Sequence, residues 1–164
     1  MKKSLRNTIE KIYSMRVKDI MDRWAWDIPV LSEDDTVIHA LFMLRSNNHI
    51  WIVNNEKEMK VVGVIERVDV LRAILPPEAV SYAYSSTRMA ARNIYMREDA
   101  SVGDVMSSPV ITASEEMTLK DAMVKMHRYN VERLPVVDKN GKLEGEVTLK
   151  SILIALTRDY KERK

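Results

Sequence analysis

The stretch Val17-Lys18-Asp19-Ile20-Met21 returns as Val102-Gly103-Asp104-Val105-Met106, and this repetition decides the fold. The same landmarks follow both stretches in the same order, from a proline that opens one apolar run to a glycine that opens another. Matching landmarks lie about 80 to 85 residues apart, which is longer than the period of roughly 20 to 50 that is typical of solenoid repeats. The sequence therefore predicts two copies of a small domain that face each other across a pseudo-twofold axis.

Each copy predicts the same order of secondary-structure elements. A short strand over residues 30–32 or 110–112 comes first. A threonine, Thr36 or Thr118, then caps a helix whose apolar residues form one stripe. Two strands around a polar turn follow, and a second helix closes the copy. The predicted fold class is α+β, with two β-α-β-β-α units packed with pseudo-twofold symmetry.

The segments outside the two copies are predicted to be helical or charged. Leu5, Ile9 and Ile12 fall on one face of an N-terminal helix over residues 1–14. Pro76-Pro77 ends the first unit, because proline lacks the amide hydrogen that a helix needs. The apolar residues after it predict a helical linker without a counterpart in the repeat. The predicted boundaries are 15–77 for the first unit, 78–100 for the linker, 101–158 for the second unit and 159–164 for a charged C-terminal tail.

The composition excludes several classes of protein. Cysteine is absent, which excludes disulfides, thiolate metal sites and cysteine nucleophiles. No apolar run is long enough to span a membrane, and no apolar segment follows the basic N-terminus. We therefore expect a cytoplasmic protein with no membrane contact. The 26 basic and 24 acidic residues are interspersed and give a formal net charge of +2, so no basic block is present that would track the phosphates of a nucleic acid.

Nucleic-acid binding is the weakest of the functions that the sequence suggests. It would depend on basic residues near the two ends of the chain, and steep salt dependence would be its mark. These residues are Lys2, Lys3, Arg6, Lys11, Arg158, Lys161, Arg163 and Lys164.

The titratable residues do not form a catalytic or metal-binding pattern. His39, His49 and His127 lack the spacing that would place two imidazoles on one face of a helix. The acidic pairs Asp34-Asp35 and Glu115-Glu116 lie near predicted helix starts, where carboxylates favour the helix dipole. The chain has only four glycines and no nucleophile elbow. The sequence therefore predicts neither an enzyme nor a metal site.

The ordered landmarks, present twice, resemble a tandem pair of CBS domains, also called a Bateman module. The second copy carries the signature most fully, over residues 104–112, 133–138 and 145–153, and the resemblance extends over about 15–75 and 100–158. It implies two units packed sheet to sheet that dimerise further into a disc of four units. It also implies a regulatory function, in which adenosine-containing ligands such as AMP, ADP, ATP or S-adenosylmethionine bind in clefts between units.

The ligand motif of that family is a glycine, two residues, a threonine or serine, two residues and an aspartate. Its hydroxyl binds phosphate, and its carboxylate accepts from the ribose hydroxyls. The first copy keeps Asp69 but has Glu66 at the hydroxyl position, and the second keeps Thr148 but has Ser151 at the acid position. Glu66 would repel a phosphate by several kcal/mol at about 4 Å and an effective dielectric constant near 20. Ser151 in place of the aspartate can still make one hydrogen bond to a ribose hydroxyl, so the loss of binding free energy there is about 1 to 2 kcal/mol.

The resemblance therefore implies that the second copy is the better nucleotide site. The first copy would be empty, or would take an uncharged nucleoside or a cationic ligand such as S-adenosylmethionine. Lys150 and Arg133 could add positive charge beside the motif of the second copy. The first strand of each copy would supply the walls for the base, although apolar strand residues are equally typical of a core. The implied ligand-binding set is Thr148, Ser151, Lys150, Arg133, Pro109, Val110, Ile111, Asp69, Pro29 and Val30.

The implied function is that of a regulatory, signal-transducing module without an obligatory cofactor. An adenosine nucleotide or S-adenosylmethionine would be its regulatory ligand. No fused enzyme, channel or transporter segment is present in the sequence, so we expect a homodimer that acts in trans on an unidentified partner protein. The alternative is a dimerisation or scaffold protein with degenerate ligand sites, which the half-kept motifs favour.

Overall fold

The structure is a computed structural model of the 164-residue chain. It describes residues 4–24, 27–76, 79 and 99–158. The predicted C-terminal tail and most of the predicted helical linker lie outside the described residues. The chain divides into two compact units: unit 1 comprises Met1–Ala25 and Ile111–Lys164, and unit 2 comprises Trp26–Val110. The domain boundaries drawn along the repeats, 15–77 and 101–158, stay a prediction.

The described elements confirm the α+β class that the sequence predicts. In chain order they are α1 (Leu5–Ser14), a 3₁₀ turn (Val17–Asp19), β1 (Asp22–Arg23), β2 (Val30–Ser32), α2 (Val37–Leu44), β3 (His49–Val53), β4 (Val61–Glu66), α3 (Arg67–Ile74), α4 (Val102–Val105), α5 (Leu119–Tyr129), β5 (Arg133–Val137), β6 (Leu143–Thr148) and α6 (Leu149–Thr157).

Unit 2 is built on the sheet β2-β3-β4. β2 pairs parallel to β3, and β3 pairs antiparallel to β4, so that Trp51 lies between Val30 and Val64 at the centre of the sheet. All five residues of β3 are buried, as expected of a central strand with both faces covered. One core cluster joins this sheet to α2, α3 and α4 through Ala40, Ile65 and other apolar residues.

Unit 1 is built on the sheet β1-β6-β5, in which β1 comes from the N-terminal part of the chain. The predicted strand over 110–112 does not form. An isolated bridge joins Ala113 to Val136 instead, with Ala113 N donating to Pro135 O at 2.9 Å. The prediction was wrong because Val110 packs into the core of unit 2, so that pairing with β5 begins only three residues later.

The threonine caps and the apolar stripes are confirmed. Thr36 Oγ1 accepts from His39 N at 3.3 Å, and Thr118 Oγ1 accepts from Asp121 N at 3.1 Å, so both helices begin where the sequence predicts. The stripe of α5 is buried through Leu119, Ala122 and Met126, and that of α2 through Ala40 and Leu44.

The N-terminal helix packs on unit 1 through its later turns. Ile12 and Thr8 are buried, whereas Leu5 is 60% exposed. Leu5 is part of the predicted apolar face but does not pack, since the first turn of α1 does not reach the core.

Each repeated opening stretch is anchored on the body of the other copy. Val17 N donates to Met117 O at 2.9 Å in unit 1, and Val102 N donates to Asp35 O at 2.8 Å in unit 2. Val17 and Val102 are both 0% exposed. The two copies therefore repeat the same backbone hydrogen bond. In each case the opening stretch of one copy bonds to the body of the other copy.

Gly145 allows β1 to pair with β6, because a Cβ at this position would collide with the backbone oxygen of Asp22. We expect Gly145→Ala to lower the free energy of unfolding by about 1 to 3 kcal/mol, as overpacking does. Urea denaturation followed by circular dichroism measures this. The comparison is Gly63→Ala, where the three atoms nearest the new Cβ all belong to the side chain of Met106 and none to the backbone, so we expect a smaller loss because a methionine side chain can adjust. Equal losses in the two variants would contradict the expectation.

Candidate ligand-binding site

Thr148 lies where β6 ends and α6 begins, and its side chain is held by Ser151. Ser151 N donates to Thr148 Oγ1 at 3.1 Å, and Thr148 N donates to Ser151 Oγ at 3.1 Å. The Ser151 hydroxyl donates to Thr148 O at 2.8 Å, and the Thr148 hydroxyl donates to Ser151 Oγ at 3.2 Å. The pair is a closed capping box. Its weakest bond is the one that the Thr148 hydroxyl could exchange for a ligand oxygen.

Two basic residues lie close to this capping box in the ladder and in the helix. Arg133 begins β5 and is the Cα partner of Thr148 in the β5–β6 ladder. Lys150 lies exposed in the first turn of α6, where the first amide hydrogens have no partner within the helix and the helix dipole favours an anion. Ile111 packs against the core of unit 1. The described residues therefore place a hydroxyl and a helix N-terminus together, with two basic residues close by.

Asp69, which the motif assigns to ribose, is 1% exposed in unit 2. Its Oδ2 accepts from Glu66 N at 2.8 Å, and its Oδ1 accepts from the buried hydroxyl of Ser107 at 3.2 Å. The guanidinium of Arg72 lies 3.5 Å from Oδ1. Both carboxylate oxygens therefore accept hydrogen bonds from within the unit. One bond caps α3, and the other holds Ser107 against the unit.

The hydroxyl position of the first copy is Glu66, at the end of β4, and its surroundings also differ from those of Thr148. The ladder partner of Glu66 is His49, which stands where the second copy has Arg133. His49 is buried, with its ring edge-on to Trp51 and 5.0 Å between centroids. Arg67 is held on the end of α2, with Nε donating to Leu44 O at 2.9 Å. In the first copy, His49 therefore packs in the core and Arg67 caps the end of α2.

Two of the four predicted wall residues of unit 2 pack against its core. Val30 and Val110 pack against a cluster formed by Ile28, Trp51 and Val64. Pro29 O accepts from Trp51 N at 3.0 Å, while Pro109 is exposed after a cis peptide bond with Ser108.

The predicted residues thus fall into two groups. Thr148, Ser151, Lys150 and Arg133 lie at the same end of the β5–β6 pair in unit 1, and Ile111 packs against the core of that unit. Unit 2 contains Asp69 and the wall residues Pro29, Val30, Pro109 and Val110. Sequence reasoning missed His49 and Ser107. The position of His49 follows from the repeat, because it matches Arg133, but the bond of Ser107 joins residues 38 positions apart and leaves no local signal.

A cavity of about 630 Å³ lies at the opposite end of the β5–β6 pair, lined by Val137, Asp138 and Glu144 among others. None of the predicted ligand residues lines it. Glu116 accepts from Lys18 Nζ at 2.6 Å, and this hydrogen bond raises the pKa of the Lys18 ammonium above its usual value. The neighbouring Glu115 pairs with Arg23 at 2.6 Å. Two of the four acidic residues that line this cavity are therefore engaged in ion pairs that hold the N-terminal stretch.

The described part of the chain offers no metal cluster and no membrane-spanning helix. Among residues 4–24, 27–76, 79 and 99–158, no group of three or more histidine or acidic side chains could hold a metal ion. Within the same ranges, no helix has the length and apolar character needed to cross a bilayer. Of the basic residues near the chain ends, Arg6, Lys11 and Arg158 are described, and Arg6 pairs with Glu10 at 3.1 Å.

Curated relatives include both a chain of similar length and larger enzymes. An uncharacterized protein of Methanocaldococcus jannaschii is 31% identical over 157 residues, which cover 87% of this chain and 91% of that protein. An inosine-5′-monophosphate dehydrogenase of the same organism is 31% identical, over 77% of this chain but only 21% of the enzyme. A homoserine O-acetyltransferase of Methanococcus vannielii is 27% identical, over 86% of this chain and 25% of the enzyme. The similar region is therefore a minor part of both enzymes.

Solved structures share the fold. CBSX2 in complex with AMP superposes with a TM-score of 0.69 at 23% identity, covering 89% of this chain and 98% of that one. A CBS domain pair in complex with 5′-methylthioadenosine and S-adenosyl-L-methionine gives a TM-score of 0.59 at 24% identity, covering 85% and 93%. The profile of the CBS domain matches residues 17–76 and 102–158, in agreement with the resemblance found in the sequence. The chain belongs to the CBS-domain family and carries two copies of the domain.

Proposed function

We propose that this protein is a regulatory module that senses an adenosine nucleotide, with unit 1 providing the phosphate site. The observation that carries the proposal is the position of Thr148, whose hydroxyl caps α6 and lies on the strand position opposite Arg133. A phosphate at this helix N-terminus would receive hydrogen bonds from the hydroxyl and from backbone amides. Lys150 and Arg133 would add charge-assisted bonds.

The proposal favours an AMP, ADP or ATP type of ligand over S-adenosylmethionine, since Arg133 and Lys150 supply two cations close to Thr148. Two solved CBS pairs support the adenosine class, one in complex with AMP and one with S-adenosyl-L-methionine and 5′-methylthioadenosine. Ser151 in this proposal fixes Thr148 and does not take the ribose, because its hydroxyl is already bonded to Thr148 O at 2.8 Å.

In the proposed function the ligand regulates and is not consumed. The module needs no obligatory cofactor, carries out no catalysis of its own, and acts in the cytoplasm on a partner protein in trans. Signal transduction would consist of a change in the affinity of the module for its partner when the nucleotide binds. By reciprocity, the affinity of the module for the nucleotide changes by the same factor when the partner binds.

A thermal-shift and calorimetry panel tests the proposal with AMP, ADP, ATP, adenosine and S-adenosylmethionine. A ligand at a hundred times its dissociation constant should add about 2.7 kcal/mol to the free energy of unfolding. We expect the nucleotides to stabilise the wild type, adenosine to act more weakly, and Thr148→Ala to lose most of the nucleotide-induced shift.

The control is Thr118→Ala, because Thr118 caps α5 through the same kind of bond, 3.1 Å to Asp121 N. Both variants should lose about 1 kcal/mol of stability from the missing cap, but Thr118→Ala should keep the full nucleotide response. A panel in which no adenosine compound shifts the wild type would sink the proposal, as would equal losses of response in both variants.

A scaffold or dimerisation protein is the second candidate function. Exposed apolar residues on the helices of both units favour it: Phe42 is 60% exposed, Leu71 55%, Leu153 52% and Ile154 58%. Side chains of this kind in contiguous patches mark protein interfaces. The proposed homodimer would bury them, and the internal use of Asp69 agrees with a ligand site that has degenerated. Under this function the panel gives no shift, while equilibrium sedimentation still finds a dimer.

A further inference from the structure

Unit 2 pairs a serine with an aspartate that is distant in the sequence. Ser107 lies opposite Val64 on β4, with Val64 N donating to Ser107 O at 3.1 Å and Ser107 N donating to Val64 O at 2.8 Å. The Ser107 hydroxyl donates to Asp69 Oδ1 at 3.2 Å. Asp69 stands at the acid position of the family motif, so a side chain at position 107 lies one hydrogen bond away from that position.

The repeat brings Asp22 to the matching position in unit 1. Asp22 lies opposite Glu146 on β6, just as Ser107 lies opposite Val64 on β4. Asp22 and Ser107 are 85 residues apart, and Val64 and Glu146 are 82 residues apart. Both offsets fall within the range that relates the other landmarks of the two copies. The strand partner of Asp22 is therefore the repeat equivalent of the strand partner of Ser107.

The methionine that directly precedes each of these residues supports the match. In unit 1, a Cβ on Gly145 would meet the side chain of Met21, and in unit 2 a Cβ on Gly63 would meet the side chain of Met106. The two glycines are equivalent landmarks of the repeat, 82 residues apart. The chain therefore passes the two glycines in the same way, and the next residue occupies the same place in both units.

The two units carry a hydroxyl and a carboxylate at exchanged positions. Unit 2 has a serine beside the strand, Ser107, and an aspartate in the first turn of the helix, Asp69. Unit 1 has the aspartate in the strand, Asp22, and the serine in the first turn of the helix, Ser151. Because one hydrogen bond of 3.2 Å joins the two positions in unit 2, the exchange places a carboxylate next to the acid position that Ser151 leaves vacant in unit 1.

An acid at position 22 does not stabilise the strand pairing of unit 1. Asp22 is exposed and lies directly opposite Glu146, and like charges opposite each other in a ladder are destabilising. The matching residues of unit 2, Ser107 and Val64, carry no charge. Residues that break a rule of stability are expected at functional sites. Glu146 is only 9% exposed, so Asp22 is the carboxylate of this pair that a ligand reaches from solvent.

We propose that Asp22 is the ribose acceptor of the nucleotide site in unit 1. The inference rests on the proposed function, which puts the phosphate at Thr148. Residues 146 and 148 face the same side of β6, about 7 Å apart along the strand, so Asp22, opposite residue 146, is within reach of the sugar of that nucleotide. A single carboxylate can accept from both ribose hydroxyls. Ser151 stays the cap of α6, and the site prefers ribonucleotides to their deoxy forms.

Calorimetry with AMP and 2′,3′-dideoxy-AMP tests the proposal on the wild type, Asp22→Ala and Ser151→Ala. We expect the wild type to bind AMP at least about tenfold more tightly than the dideoxy compound, because hydrogen bonds to a charged acceptor are strong. Asp22→Ala should bind AMP about tenfold more weakly than the wild type, with no loss of affinity for the dideoxy compound. Ser151→Ala should weaken both ligands by the same factor, since it loosens Thr148 and leaves the ribose contact in place.

The outcomes separate this proposal from the proposed function. A wild type that binds both compounds equally, or an Asp22→Ala variant that keeps the preference for AMP, would overturn the role of Asp22, while loss of AMP binding in Thr148→Ala would still support the phosphate site. Loss of the preference in Ser151→Ala alone would return the ribose to the family position. A wild type that binds neither compound would show that both proposals are wrong.

Urea denaturation of the unliganded variants shows whether the loss of AMP affinity arises from unfolding. Asp22→Ala should be no less stable than the wild type, because it removes one of two carboxylates that lie opposite each other. Asp22→Ser, which has the residue of the matching position in unit 2, replaces it if the alanine variant does not fold. A large loss of stability in both variants would show that Asp22 has a structural role and would refute the proposal.

Discussion

Asp69→Ala is expected to lower the free energy of unfolding by about 3 kcal/mol in the absence of any ligand. The carboxylate is 1% exposed and accepts from Glu66 N at 2.8 Å and Ser107 Oγ at 3.2 Å. Its removal leaves a buried hydroxyl without this acceptor, at about 1 to 3 kcal/mol, and removes the cap of α3, at about 1 kcal/mol. The Arg72 side chain is 31% exposed, so it can turn to water and adds little. Urea denaturation followed by circular dichroism measures the loss.

Ser151→Ala is the matched control for this variant. Ser151 occupies the same position in the second copy and accepts from Thr148 N at 3.1 Å, but it is only half-buried, so we expect a loss of about 1 kcal/mol. If Asp69→Ala proved as mild as Ser151→Ala and abolished the response to an adenosine ligand, Asp69 would be a ribose acceptor, as the family motif implies, and its structural role would be refuted.

Trp51→Ala is expected to cost about 3 to 5 kcal/mol, the range for large aromatic residues in a core. Trp51 is 2% exposed and lies between Val30 and Val64 in the centre of its sheet. The smaller side chain would leave a cavity beside Ile28 and remove the edge-on contact with the His49 ring. Urea denaturation followed by circular dichroism, a signal that does not depend on the tryptophan that is removed, gives the magnitude.

Trp24→Ala removes the same side chain from an exposed position and serves as the control. Trp24 is 45% exposed, and the bond from its backbone amide to Glu144 O does not depend on the side chain. We expect a change within about 0.5 kcal/mol, as for surface substitutions in general. Comparable losses for the two tryptophans would show that the burial of Trp51 does not set the stability of unit 2.

The parts of the fold that the sequence predicted are those decided by nearby residues. The caps of Thr36 and Thr118 depend on the amide three residues on, and the stripe of α5 depends on helical periodicity. The strand β1 could not be predicted in this way. Asp22 and Arg23 are polar and exposed, and they become a strand only because Gly145, far along the chain, leaves room for their backbone.

The candidate site follows the same division. The motif located Thr148 and Asp69, but it did not show what each side chain bonds. Ser151 lies within one turn of Thr148, so their mutual cap was accessible to local reasoning. Asp69 depends on Ser107, which is distant in sequence, and the Arg67 guanidinium bonds to the carbonyl of Leu44 on another helix. Such pairings arise from tertiary packing and have no local pattern.

The exchanged opening stretches make neither copy complete by itself. The core of unit 1 contains Ile12 and Val17, while the core of unit 2 contains Val102 and Val105. A fragment that starts at residue 101 would carry the body of the second copy without the residues that close its core, and it would carry Val102 with no core to enter. We therefore expect neither copy to form an intact domain when it is produced without the other. The two halves of the chain depend on each other, because each supplies residues that complete the core of the other.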